Sequence, residues 1–146
     1  MPHPWTSLLF LTIGGALGTI ARFLVMRTVA WMHPLPHEDF PLYVSSSGTI
    51  IVNAAGCLFF GIVWAILTEF KTDWSGVLMV ALLTGFLGAF TTFSTFAFEA
   101  QQLYKDHGLI SALGYWFIQN FFGLVCVLIG IAAGKVIHTQ FWATTT

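Results

Sequence analysis

The sequence predicts an all-α integral membrane protein of four transmembrane helices, with the third helix broken near its middle. Three observations carry this reading. Of the 146 residues, 57% are hydrophobic and only 8% are charged, whereas a soluble domain carries about a quarter charged residues. Three stretches, 48–67, 76–98 and 109–134, contain no charge, and each reaches the ~20 apolar residues that cross a hydrocarbon core roughly 30 Å thick. Chain breakers lie between them: Pro34, Pro36 and Pro41, then Lys71 to Asp73, then Lys105 to Gly108. A single four-helix membrane domain over 1–146, with spans at about 6–29, 48–69, 76–101 and 109–135, uses nearly the whole chain.

The first span follows Met1-Pro-His-Pro-Trp5, which has no cation before the apolar run and no small-residue cleavage site after it. It therefore reads poorly as a signal peptide and is expected to stay in the mature protein. Gly14, Gly18 and Ala21 share one helix face, where another backbone can approach closely. Arg22 interrupts the span. A cation at that depth either snorkels to the interface or serves an aqueous, anion-facing vestibule.

Asn53 lies more than one turn inside the second span. A buried amide must hydrogen-bond, so it either ties helices together or lines a pore and donates to an anion. Cys57 and Cys126 both fall within spans and read as buried free thiols. His33 and His37 are four residues apart, but Pro34 and Pro36 prevent a helix from pairing them, which argues against a metal site.

The third span is a poor continuous helix. Gly85 and Gly88 are followed by Thr91, Thr92, Ser94 and Thr95, and hydroxyls divert backbone hydrogen bonds while glycine relaxes the chain. Broken helices at membrane depth can use their freed carbonyls to hold cations. Five of the 15 Phe lie between 86 and 98, with Phe93 and Phe96 three apart on one face. A ring edge is partially positive, so it can meet an anion without trapping it. Plain packing is the other reading of such a stripe. The fourth span carries Tyr115, Gln119, Asn120 and Gly123, a polar seam facing protein or water.

Four spans place both termini on one side together with Lys71. The flanking cations then divide into Lys71 and Lys135 against Arg27 and Lys105. Orientation normally follows the excess of Lys and Arg, and here there is almost none, the embedded Arg22 pulling only weakly to the second side. Such a chain can insert both ways round and supply both halves of an antiparallel dimer. The alternative is one orientation, set by other features.

Gly14-Gly-Ala-Leu-Gly18-Thr-Ile-Ala-Arg22, Gly48-Thr-Ile-Ile-Val-Asn53-Ala-Ala-Gly56 and Gly85-Phe-Leu-Gly88-Ala-Phe-Thr91-Thr-Phe93-Ser-Thr95-Phe96 together resemble the CrcB/Fluc fluoride channels. The resemblance covers three of the four helices, and its third motif is highly specific. It implies a bacterial inner-membrane channel that exports fluoride passively and confers fluoride resistance. It further implies an antiparallel dual-topology homodimer in membrane lipid, with two fluoride pathways and a structural sodium ion at the dimer axis. Through it Phe93 and Phe96 look like pore phenylalanines and Asn53 like the anion-contacting amide. Ser94, Thr95 and Glu99 look like the polar set after the break, and Tyr115 like the tyrosine of a polar track. Gly88 and Thr91 look like the sodium ligands, through backbone carbonyls. The chain departs from the pattern at Ala89, where a second glycine is common, and at Gln119, Gly123 and Val127, where hydroxyls are expected.

The main rival function is a small dual-topology proton-coupled multidrug exporter. Such coupling needs a carboxylate deep in the bundle, yet the interiors of the first, second and fourth spans contain no Asp or Glu, Glu69 standing at the very end of the second, and Glu99 falls at the end of the third. An accessory subunit without a pathway leaves Asn53 and the hydroxyls at 91–95 unexplained. No nucleophile–base pair, phosphate loop or metal-ligand cluster is present, which argues against an enzyme, and no nucleic-acid partner is expected.

Overall fold

The computed structural model describes residues 3–32, 42–69 and 74–143, and side-chain surroundings are given for these except 42–45 and 141–143. His33, Pro34, Pro36, His37, Pro41, Lys71 and Asp73 lie outside the described residues.

Helix α1 is Pro4–Met32 and α2 is Leu42–Glu69. Helix α3, Ser75–Met79, runs into a π-helical segment, Val80–Leu87, and then into a short α4, Gly88–Phe90. After two extended residues come α5, Phe93–His107, and α6, Leu109–Ala143. Among the described residues, four helical stretches are thus long and apolar enough to cross a membrane: Pro4–Met32, Ser46–Glu69, Ser75–His107 and Leu109–Gln140. The third is the broken one. It also ends later than the sequence suggests, so Glu99 sits two turns before its C-terminus rather than at its end.

Solvent preference is inverted relative to a soluble protein. Ser46, Thr49, Thr92, Glu99 and Gln119 are buried, while Leu9, Leu17, Ile20, Phe117, Leu124 and Leu128 are exposed. In lipid, apolar side chains can face outward at no cost, and polar ones must find partners inside.

Two seams of close backbone approach hold the bundle. A methyl group on Gly14 would collide with the Ala81 carbonyl oxygen, and one on Gly18 with that of Phe86. The small-residue face of α1 therefore packs on the π-helical segment of its own chain, not on a second copy. In the other seam α2 lies along α6, where Gly130 admits the Leu58 carbonyl and Gly61 that of Val127. Helix α5 closes on Gly108, whose φ of 81° lets its N–H return to the Tyr104 carbonyl at 3.0 Å and turns the chain into α6.

Candidate functional site

The break in the third span is built by hydrogen bonds that leave the helix ladder. Thr91 (φ −78°, ψ 162°) and Thr92 (φ −147°, ψ 114°) are both extended. The Thr92 N–H donates to Asn53 Oδ1 at 2.8 Å, and Asn53 Nδ2 donates back to the Thr92 carbonyl at 3.1 Å. Helix α5 then restarts with Thr92 as its N-cap, the Oγ1 accepting from the Thr95 N–H at 3.3 Å and donating to Thr95 Oγ1 at 2.9 Å.

This diversion has a consequence for acceptors. In a continuous helix the Thr92 and Thr95 N–H groups would serve the carbonyls of Gly88 and Thr91. Here both are drawn elsewhere. The Thr91 carbonyl instead accepts from Arg22 Nη1 at 3.3 Å. Arg22 thus reaches the break itself.

Next to the break lies a buried polar chain. Glu99, 2% exposed, accepts from Thr49 Oγ1 at 2.9 Å on one carboxyl oxygen and from Tyr115 OH at 2.6 Å on the other. Tyr115 OH accepts from Gln119 Nε2 at 3.1 Å, and Gln119 Oε1 accepts from Asn53 Nδ2 at 3.4 Å. Hydrogen bonds therefore run without a gap from Thr92 through Asn53, Gln119 and Tyr115 to Glu99 and Thr49. They join α2, α5 and α6, where an orphaned polar group would cost several kcal/mol.

Beside this chain opens a cavity of about 420 Å³. Asn53, Phe93, Phe96, Gln119, Gly123 and Val127 are among its lining residues, with Cys57, Thr91 and Thr92. The Phe93 and Phe96 rings meet edge-on, centroids 5.7 Å apart, and Phe96 also lies 5.5 Å from Tyr115. Phe96 is 5% exposed whereas Phe93 is 78% exposed in the single chain.

Residues 9–131 match the family described as CrcB-like protein, Camphor Resistance (CrcB). The chain belongs to the CrcB family. Among curated relatives, the fluoride-specific ion channel FluC of Nitrosococcus oceani is 40% identical over 133 residues, covering 91% of this chain and 99% of that protein. The protein of the same name from Solidesulfovibrio magneticus is 38% identical over 135 residues, covering 88% and 95%. That of Nitratidesulfovibrio vulgaris strain Miyazaki F is 38% identical over 131 residues, covering 90% and 98%. These relatives are named as ion channels, a non-enzymatic family, and the chain is a multi-pass bacterial membrane protein.

In this CrcB protein the structure sorts the sequence-predicted residues into groups. Asn53, Phe93 and Phe96 share the cavity wall. Tyr115 and Glu99 lie behind it in the hydrogen-bonded chain, Thr95 supports the cap, and Ser94 is exposed outside the lining. The one Asn53 amide both fastens the break and faces the cavity. Sequence reasoning missed the capping role of Thr92 and the partnership of Thr49 with Glu99. Thr49 lies one turn before Asn53 on α2, and that spacing was the available signal. Gln119, met as a departure from the family pattern, turns out to continue the polar seam.

Proposed function

We propose that the protein is a fluoride-selective ion channel, exporting fluoride passively across the bacterial inner membrane through two pathways in an antiparallel homodimer. The observation that carries the reading is the convergence of Asn53, Phe93 and Phe96 on one cavity beside a helix break, in a chain whose near-full-length relatives are named fluoride-specific ion channels. Fluoride is small and strongly hydrated. Its water must be replaced by several weak donors at nearly matched cost, or the ion would not enter or would not leave. Amide hydrogens and phenylalanine ring edges are such donors. Among the described residues, no full positive charge belongs to the cavity lining.

A second copy suits the exposed parts of the site. Phe93 stands largely uncovered in one chain, and a partner would complete the wall it begins. A structural sodium ion at the dimer axis fits the carbonyls of Gly88 and Thr91, which have lost their helical donors to Asn53 Oδ1 and Thr92 Oγ1. Two antiparallel copies would offer four hard oxygens, a donor set suited to a small hard cation. A carbonyl has two lone pairs, so the Thr91 oxygen can serve Arg22 and the ion together.

The proton-coupled exporter gains a buried carboxylate in Glu99, but both its oxygens are engaged and it does not line the cavity. Expression in a fluoride-sensitive bacterium lacking its own exporter tests the proposal. Growth should be restored in millimolar fluoride, and unchanged sensitivity with the protein present in the membrane would overturn it.

A further inference from the structure

Glutamine 119 stands where the family resemblance leads one to expect a hydroxyl. It is 8% exposed, and both ends of its amide are engaged. The directions of the bonds around it are fixed from one end. Glu99 accepts on both oxygens. Tyr115 has a single hydroxyl hydrogen and spends it on Glu99, so toward Gln119 it can only accept. Gln119 must then turn Nε2 to Tyr115 and Oε1 to the other side, where Asn53 Nδ2 donates to it. A serine or threonine hydroxyl could rotate and reverse this order. An amide cannot do so without turning over, because its donor and acceptor are different atoms.

We infer that Gln119 is a positioning residue that couples the Glu99–Tyr115 pair to Asn53, passing a fixed hydrogen-bond direction from the buried carboxylate to the amide on the cavity wall. Asn53 is held from two sides. The Thr92 backbone fixes its Oδ1 and one N–H, and Gln119 takes the other N–H in the longest bond of the chain, 3.4 Å. An anion that takes a hydrogen from Asn53 displaces Gln119 Oε1 first. Gln119 thereby also sets how readily that donor is released. The consequence for flux rests on the fluoride-channel reading; the coupling itself does not.

The test is a double-mutant cycle between Tyr115→Phe and Asn53→Ser, whose side chains connect through Gln119. It is run in the native background and again with Gln119→Met, which keeps length but removes both amide ends. In the native background the combined effect on fluoride efflux should depart from the product of the single effects by about threefold or more. With Gln119→Met the effects should multiply to within about twofold. The same variants are read for thermal midpoint in detergent, which requires no transport, and the same pattern of coupling and its loss is expected. Gln119→Leu provides a second uncoupled background should Gln119→Met fail to fold, and Gln119→Glu a coupled control. In the Gln119→Glu background, where the carboxylate can accept from both Asn53 and the Tyr115 hydroxyl, the coupling should persist with the order of the hydrogen bonds at Tyr115 changed. Independent effects in the native background, or a coupling that persists in the Gln119→Met background or in Gln119→Leu, which equally removes both bonds, would overturn the inference. A thermal coupling without any fluoride efflux would support the relay and count against the channel reading alone.

Discussion

Asn53 and Thr92 hold each other by two opposed hydrogen bonds, 2.8 Å from the Thr92 N–H to Oδ1 and 3.1 Å from Nδ2 to the Thr92 carbonyl. A side chain of α2 thus takes the place that a neighbouring strand or helical turn would have for one peptide unit. The break in the third span and the donor on the cavity wall are consequently one structure. Disturbing either should disturb both.

Asn53→Asp should be worse than Asn53→Ser. The carboxylate can still accept from the Thr92 N–H, but it faces the Thr92 carbonyl and Gln119 Oε1 with no hydrogen to offer and repels an entering anion. Serine retains one donor. Each lost partner in such a site costs about 1–3 kcal/mol, so Asn53→Asp should lower both the thermal midpoint and fluoride flux. Efflux measured on the two variants at equal protein checks the order, and equal or greater flux in Asn53→Asp contradicts it.

Replacing Phe93 or Phe96 by Ile keeps apolar bulk and removes the polar ring edge. Phe93 is largely exposed in one chain, so Phe93→Ile should leave stability within about 0.5 kcal/mol while cutting flux. Phe96 is buried against Phe93 and Tyr115, and Phe96→Ile should cost about 1 kcal/mol in lost ring contacts as well. Unchanged flux in both variants would refute a role for the rings.

Gly88 and Gly14 should respond differently to substitution. A methyl on Gly14 collides with the Ala81 carbonyl, whereas one on Gly88 lies 3.6 Å from the Leu83 carbonyl, ordinary contact. Gly88 is also exposed and helical, φ −63° and ψ −36°. Gly14→Val should therefore damage the chain's own packing. Gly88→Val should spare it and instead weaken the proposed dimer and its sodium site, while Thr91→Ser, which keeps the backbone carbonyl, should be mild. Crosslinking of the dimer with and without sodium separates these outcomes. A fully dimeric Gly88→Val protein would contradict the placement of the ion.

Single cysteines placed at the C-terminus of a variant lacking Cys57 and Cys126 should be labelled from both sides of the membrane, as the even division of Lys71 and Lys135 against Arg27 and Lys105 suggests. Labelling from one side only would sink the antiparallel arrangement.

Much of the fold was legible because the bilayer imposes length and apolarity on every span, and the break was legible because Thr91, Thr92, Ser94 and Thr95 crowd one segment. Its mechanism was not. The extended pair at Thr91 and Thr92 is set by Asn53, 39 residues away, and local composition cannot show a distant partner. The small-residue face at Gly14 and Gly18 announced a close neighbour without naming it, since the π-helical segment of the same chain and a second copy look alike from one helix. Gln119 was visible as an anomaly, but its two partners lie on α2 and one turn back on α6. Only folding brings those together.

The most direct test of the account is fluoride efflux from liposomes holding the purified protein, followed with a fluoride-selective electrode and with chloride as the control. The account predicts rapid fluoride release down its own gradient, with no sodium or proton gradient imposed, and retention of chloride. Fluoride release no faster than from empty liposomes, or release that scales with an imposed proton or sodium gradient, would contradict it.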